Sequence, residues 1–376
     1  MTSKRWFLNL PWGMVSIIFI IALIGLTAVY SATFTSKDPS PLFYKQLIWV
    51  SIGMVVMFLA LIPDYHAVGR YAYIFYALSL ALLILVMLIG RTGMGAQRWL
   101  AIGSFAFQPS ELAKLSITLA LARYFAEDPK RDGYAIKDLA IPGVMVLIPL
   151  LLVLKQPDLG TALMLLLTSS LIVMIAGIHL RSVIIVFIIG AIMTTLVLFV
   201  PPVQRKIWNS LKPYQQNRIR AFLDPSSDKL GSGYHANQSK IAVGSGQITG
   251  KGFRKGTQSQ MAFLPERHTD FIFAVIAEET GLLGASTLIV LYLILLLIGV
   301  DTARNAKDRL GVLMAGGIVS MILLYVFINV GMAVGIVPVV GVPLPLVSYG
   351  GTSIITTFLA LGLLLNIQAR RFMLFY

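Results

Sequence analysis

The chain has 376 residues, of which 57% are hydrophobic and 12% charged, with a formal net charge of +14 and no cysteine. A soluble domain carries about 25% charged residues, so this composition excludes an ordinary water-soluble fold and predicts an all-α polytopic membrane protein. Without cysteine there is no disulfide and no thiolate metal centre. The basic balance is read as attraction to membrane lipids, with no nucleic acid as partner.

The N-terminus, MTSKRW followed by an apolar run ending in YSATF, has the basic start and small residues of a secretory signal. The run is too long for a typical signal core, so it is read as a retained first helix. Runs able to cross ~30 Å of hydrocarbon predict ten helices, near 12–32, 46–62, 71–90, 111–126, 139–154, 159–177, 183–200, 271–299, 311–334 and 349–367. They form a single transmembrane domain over residues 1–376. With the N-terminus inside, the inner segments hold thirteen Lys and Arg and the short outer loops five. That bias puts both termini in the cytoplasm.

Between the third and fourth spans the chain reads GMGAQRWL and then QPSELAKL, where Glu111 and Lys114 stand three apart on one helix face. Intramembrane charges are costly and mark either a pathway or a mutually neutralised pair. Asp158, in KQPDLGTAL, precedes the sixth span, where a carboxylate suits a helix N-terminus. His66 and His179 fall in short inner loops and are read as ordinary polar residues.

Residues 201–270 form one long extracytoplasmic loop with eleven basic and four acidic residues, a net charge of +7. Its first part, VQRKIWNSLKPYQQNRIRAFL, alternates basic and apolar residues as interfacial amphipathic segments do. Next, KIAVGSGQITGKGFRKGTQSQ interleaves five glycines with Lys240, Lys251, Arg254 and Lys255. That pattern suits either a phosphate cradle or a flexible basic loop, and it matches neither the Walker nor the dinucleotide spacing. The loop ends in FLPERHTDFIF, which sets Glu266, Arg267, His268 and Asp270 directly before an apolar run. Thr269 and Asp270 have the residue types of a helix cap, worth ~1 kcal/mol. If the segment is extended, Glu266, His268 and Asp270 share one side and offer oxygen and nitrogen ligands to Mg²⁺ or Mn²⁺. Counted from Asp270 at 100° per residue, Glu278 lies about 80° away and Glu279 about 180°, so only Glu278 would face the same cavity.

Taken together, GMGAQRWL, QPSELAKL, QPDLGTAL, IAVGSGQITGKGF, FLPERHTDFIF and GVPLPLVSYGGTS resemble, in order and over nearly the whole chain, the SEDS family of bacterial membrane proteins that polymerise peptidoglycan from lipid II. The ERHTDFIF wording and short cytoplasmic tails resemble the rod-shape-determining RodA branch rather than the division or sporulation branches. The resemblance implies a ten-helix fold, a catalytic aspartate at Asp270, and substrate-site residues at Arg98, Trp99, Glu111 and Lys114, converging at the outer ends of helices three, four and eight. Asp158, Lys240, Lys251, Glu266 and His268 complete the expected substrate-binding set. Chain growth displaces a lipid diphosphate from a sugar C1 by a sugar hydroxyl. It therefore needs a carboxylate base and cations or a metal ion at the leaving group.

The expected partners are lipid II, membrane lipids, a class B penicillin-binding protein that cross-links the strands, and the cell-elongation complex. The lone SxxK match at Ser226–Lys229 lacks its companion elements and is read as chance. The expected place is the bacterial cytoplasmic (inner) membrane. The competing functions are a lipid II flippase, which charges inside the spans would favour, and a scaffold, which needs no ionisable groups at the outer face.

Overall fold

In a computed structural model, the described residues are 10–34, 40–93, 96–102, 105–130, 132–210, 216, 232–260, 263–264 and 266–371. In chain order the helices α1 (Trp12–Thr33), α2 (Pro41–Leu59), α3 (Tyr65–Arg70) and α4 (Ala72–Ile89) lead into a small antiparallel sheet. Its strands are β1 (Arg91–Gly93), β2 (Ala96–Ile102) and β3 (Phe105–Phe107). Then come α5 (Pro109–Glu127), α6 (Ala140–Lys155), α7 (Leu159–Ala176), α8 (Leu180–Phe199) and α9 (Pro201–Ser210). After α10 (Ser232–Ser245) and α11 (Thr257–Gln260), the chain closes with α12 (Ile272–Arg304), α13 (Arg309–Val334) and α14 (Gly351–Arg370).

Among the described residues, α1, α2, α4, α6, α7, α12, α13 and α14 are long and apolar enough to cross a membrane. The protein is a multi-pass helical membrane protein. α5 and α8 coincide with the two remaining expected spans, and α5 is less apolar because Glu111, Lys114, Arg123 and Glu127 lie along it. The long helices are apolar on every side, as they must be with protein on one flank and hydrocarbon on the other. Their outward side chains, Leu88 and Leu147 for example, are exposed, whereas α13 and α14 are largely enclosed. Helices α2 and α14 approach closely because a Cβ on Gly53 would strike the Phe358 ring and one on Gly362 would strike the Met57 carbonyl. Small residues permit such contact where no hydrophobic drive exists between helices.

Two features depart from the sequence reading. The outer connection between α4 and α5 is a sheet, not a loop, with Leu100 opposite Phe107 and Ala101 opposite Ala106. The eighth span is interrupted, because Gly281 (φ 67°, ψ −164°) breaks α12, and the segment before it, from Phe271 to Glu279, is buried in protein. Of the long outer loop, α9 covers the start of the expected amphipathic stretch. Most of the remainder of that stretch, and the SxxK match, lie outside the described residues.

The end of the bundle that carries α3 is held by polar side chains, among them His66, which reads in the sequence as an ordinary polar residue. Asn366 donates to the carbonyls of Ala60 (2.8 Å) and Pro63 (2.6 Å), and Arg370 to those of Leu61 (3.1 Å) and Ile62 (3.2 Å). These are the carbonyls of the turn that follows α2. His66 lies between Asp64 (2.8 Å) and Asp308 (2.6 Å), tying α3 to the start of α13. Arg370→Ala is expected to leave buried carbonyls unpaired and cost about 1–3 kcal/mol. Arg370→Lys should recover only part of that, because an ammonium lacks the planar fork. Thermal unfolding of the detergent-solubilised variants checks the order wild type, Lys, Ala.

Candidate active site

The turn before α12 holds Asp270 by its backbone. The Glu266 carbonyl accepts the amides of Thr269 (3.1 Å), Asp270 (3.1 Å) and Phe271 (3.3 Å), which coils the segment. Three successive carbonyls are then clamped from other parts of the chain. His268 accepts the Tyr349 amide (2.8 Å), Thr269 the Ser348 hydroxyl (2.6 Å) and Asp270 the Asn329 side-chain amide (2.9 Å). Gln46 in α2 donates to the Ser348 carbonyl (3.1 Å) and so fixes the clamp itself. α12 has Phe271 at its N-cap, so neither Thr269 nor Asp270 occupies that position. The Asp270 carboxylate lies instead against Gly341, where an added Cβ would sit 3.2 Å from Oδ2. Burial holds the His268 imidazole below its ordinary pKa, against the pull of the Glu266 carboxylate.

Because residues 266–270 are coiled, Glu266, His268 and Asp270 do not share one side as an extended segment would arrange them. Among the described residues no three His, Cys, Asp or Glu side chains are grouped to hold a metal ion. These residues therefore do not fit the Mg²⁺ or Mn²⁺ site the extended reading offered. The angular estimate for Glu278 and Glu279 also fails, because the helix begins only at Ile272.

Helix α13 links this turn to the buried pair on α5. Lys114 and Glu111 meet at 2.7 Å with little solvent access to either, Tyr325 donates to the other Glu111 oxygen at 2.9 Å, and the Lys114 ammonium lies 4.6 Å from the centre of the Tyr325 ring. Tyr325 and Asn329 are four apart on α13 and hence one above the other. One face of one helix therefore serves Glu111 and Lys114 at one level and Asp270 a turn away, about 5.4 Å along the axis. Sequence reading missed Tyr325, Asn329, Gln46 and Ser348. An asparagine inside the apolar run YVFINVGMAV was the available signal.

Asp158 caps α7, accepting the Thr161 amide (3.2 Å) and hydroxyl (3.0 Å), as its position predicted. Gln108 also donates to it (3.3 Å), and Arg98 stands 3.9 Å away while donating to the carbonyl of Gln156 (3.2 Å) and to that of Pro157. Arg98 and Trp99 are neighbours on β2, where Trp99 pairs with Arg91 and Gln97 with Thr92, so Arg98 is the extra residue of a bulge. Arg98 goes to the Asp158 turn, and Trp99 beside it is half-buried. Just inside the cap, Gly160 lies against the Val340 carbonyl, with no room for a Cβ, so the start of α7 abuts the strand of chain that touches Asp270.

The glycine-rich segment repairs the break in α12. The Glu278 and Glu279 carbonyls, which lose their helical donors at Gly281, accept the amides of Lys251 (3.0 Å) and Gly252 (3.0 Å). The amides of Leu282 (2.8 Å) and Leu283 (3.2 Å) donate to Gln247 and Ile248 in return. The fully buried Glu278 carboxylate accepts from Lys251 (2.7 Å), Gln258 (2.9 Å), Ser259 (3.0 Å) and Thr257 (3.2 Å). The segment is thus neither a phosphate cradle nor a flexible basic loop, since two of its amides and the Lys251 ammonium are engaged by α12. The Lys240 side chain crosses Gly335 at the end of α13, where carbonyls favour a cation.

Removing one member of the Glu111–Lys114 pair leaves a charge buried without its partner, a loss of about 3–5 kcal/mol. Lys114→Met is expected to unfold at much lower temperature than wild type. Glu111→Gln with Lys114→Met should recover most of the difference, and calorimetry of both variants in one detergent checks this.

The sequence profile of the FtsW, RodA and SpoVE family, described as cell cycle protein, matches residues 10–372. Among curated proteins, the peptidoglycan glycosyltransferase MrdB of Escherichia coli K12 is 40% identical over 360 residues, which cover 95% of this chain and 94% of MrdB. The stage V sporulation protein E of Bacillus subtilis is 34% identical, over 98% of this chain and 99% of its own. Of solved structures, a chain described under structural coordination of polymerization and crosslinking by a peptidoglycan synthase complex superposes with a TM-score of 0.79 at 34% identity, covering 96% and 98% of the two chains. The crystal structure of the rod shape determining protein RodA of Thermus thermophilus does so at 0.71 and 30% identity, covering 97% and 98%. Profile, sequence and fold agree over almost the full length, and the chain belongs to the FtsW/RodA/SpoVE family of membrane proteins.

Proposed function

We propose that the protein is a peptidoglycan glycosyltransferase of the rod-shape branch, which polymerises lipid II at the outer face of the bacterial cytoplasmic membrane during elongation. The observation that carries the reading is the state of Asp270. Its backbone is held through three clamped carbonyls, and its carboxylate lies against Gly341. A carboxylate fixed in this way at the junction of the polar loop and the bundle is suited to remove a proton from a sugar hydroxyl. The hydroxyl oxygen then bonds to C1 of the lipid-linked sugar, and the C1–O bond to the diphosphate breaks with its electron pair on the leaving group. A positioned base contributes about 10²- to 10⁴-fold.

In this reading Asp270 is the base, and Trp99, His268, Glu266 and Lys240 contact substrate around it. Glu111 and Lys114, with Tyr325, hold the face of α13 that positions Asp270. Arg98 works with Asp158, and Lys251 with Glu278, in shaping the outer end. Kinship with a chain described in a peptidoglycan synthase complex supports a class B penicillin-binding protein as partner, supplying cross-linking within the elongation machinery.

Two outcomes are expected. With no native cysteine, Phe253→Cys should react with an impermeant thiol reagent on intact cells and Asn305→Cys should not, both positions being exposed. Labelling of the Asn305 variant from outside would reverse the orientation. Asp270→Asn should keep its backbone clamp and unfolding temperature, yet lose polymer from lipid II by ~10²-fold or more. Glycan yield and lipid II translocation measured in the same vesicles decide the matter. Full-length glycan from the asparagine variant removes the base assignment, and translocation without polymer from wild type replaces the enzyme with a flippase.

A further inference from the structure

Away from the candidate active site, the flank of α6 and α7 bears an apolar groove of about 390 Å³, within the usual size range of ligand sites, roughly 300–1,000 Å³. Leu139 and Ile178 stand at its inner mouth, Pro142, Gly143 and Val173 line its length, and Val183 of α8 borders it. The groove exists because α6 is thin there, since a Cβ built on Gly143 would meet no atom within 4 Å. α8 does not fill it, because among the described residues α8 packs extensively only on α9.

The inner mouth is basic. Tyr134 pairs with the chain at Gly177 and His179, donating its amide to Gly177 (2.8 Å) and accepting that of His179 (3.0 Å). This stitch gathers Lys137, His179 and Arg181 beside the groove, with Lys137 and Arg181 exposed. Of the acidic groups nearby, Asp138 is bound by Lys130 and by the Ala135 amide (2.8 Å) and also lies within electrostatic reach of His179, while Asp132 is exposed. Arg309 is turned away onto the carbonyls of Phe125 (3.0 Å) and Ala176 (2.8 Å).

An apolar groove open to the bilayer takes hydrocarbon, and a cluster of cations at its mouth takes a phosphate. We infer that this groove is a binding site for an anionic glycerophospholipid, one acyl chain lying along Gly143 and Pro142 with the headgroup phosphate at Lys137, His179 and Arg181. The orientation proposed above puts the lipid in the cytoplasmic leaflet, and the chemistry of the site does not depend on that orientation.

The test uses the full chain in detergent, titrated with synthetic phosphatidylglycerol or with phosphatidylcholine of identical acyl chains, and native mass spectrometry counts the bound lipid. Wild type should retain phosphatidylglycerol over phosphatidylcholine by about tenfold or more, as two cations near a phosphate provide. Lys137→Ala with Arg181→Ala should lower phosphatidylglycerol to the phosphatidylcholine level. Gly143→Phe should displace both lipids, and Gly143→Leu serves the same purpose if the larger residue disturbs folding. An unchanged unfolding temperature shows that the groove was filled and the fold kept. Equal retention of the two lipids by wild type, unaltered phosphatidylglycerol on the alanine variant, or undiminished binding by both Gly143 variants overturns the inference. An absence of bound lipid on wild type also overturns it and leaves the groove to a partner's helix.

Discussion

The region around Asp270 depends on a helix that is broken and mended. At Gly281 the backbone of α12 leaves the helical region, and two carbonyls and two amides lose their partners inside the bundle. Unpaired backbone groups at membrane depth cost several kcal/mol each. The segment from Gln247 to Gly252 returns all four hydrogen bonds, and the buried Glu278 carboxylate fastens the chain that follows. Glycine is required on both sides of this seam. Gly281 adopts a left-handed φ, and Gly250 lies so close to the Glu279 carbonyl that no Cβ fits. The break lies behind a buried first part of α12, whose leading turn, carrying Asp270, meets Asn329 of α13 and Ser348 before α14.

From that seam the polar interior organises itself around α13. A helix that carries Tyr325 and Asn329 one turn apart couples a buried ion pair on α5 to the backbone of the Asp270 turn. In a low-dielectric interior such groups are either fully paired or costly, and the pairing fixes the rotation of α13 about its axis. Asn329 also donates to the Val342 carbonyl (2.7 Å), so the same side chain holds both walls beside the Asp270 carboxylate. These hydrogen bonds stiffen the turn that carries Asp270.

The two ends of the bundle are built for different tasks. At the end that carries α3, Arg370 and Asn366 satisfy carbonyls, and His66 joins two carboxylates, so charge there closes the turns between helices. At the opposite end the ionisable groups sit on turns and on a short sheet, and Trp99 and His268 are half-buried. The asymmetry suits a reaction carried out at one face.

The multi-pass helical architecture, the extent of the apolar helices, the cap at Asp158 and the pairing of Glu111 with Lys114 were all legible in the sequence, because each depends on residues within a few positions of one another. Hydropathy reports span length directly, and an i, i+3 pair meets on any helix. Everything that required distant segments was not legible. Glu278 and Lys251 are 27 residues apart, Glu111 and Tyr325 are 214 apart, and Thr269 and Ser348 are 79 apart. The glycine-rich segment looked like an anion cradle because free amides and cations suit a phosphate, and only the break in α12 shows which acceptors those amides meet. Asp270 could be a cap or a base on local grounds alone. Only the tertiary structure places Phe271, not Asp270, at the N-cap and shows the turn before the helix held by hydrogen bonds from α13 and from the chain leading into α14, because those partners lie 59 and 79 residues away in sequence.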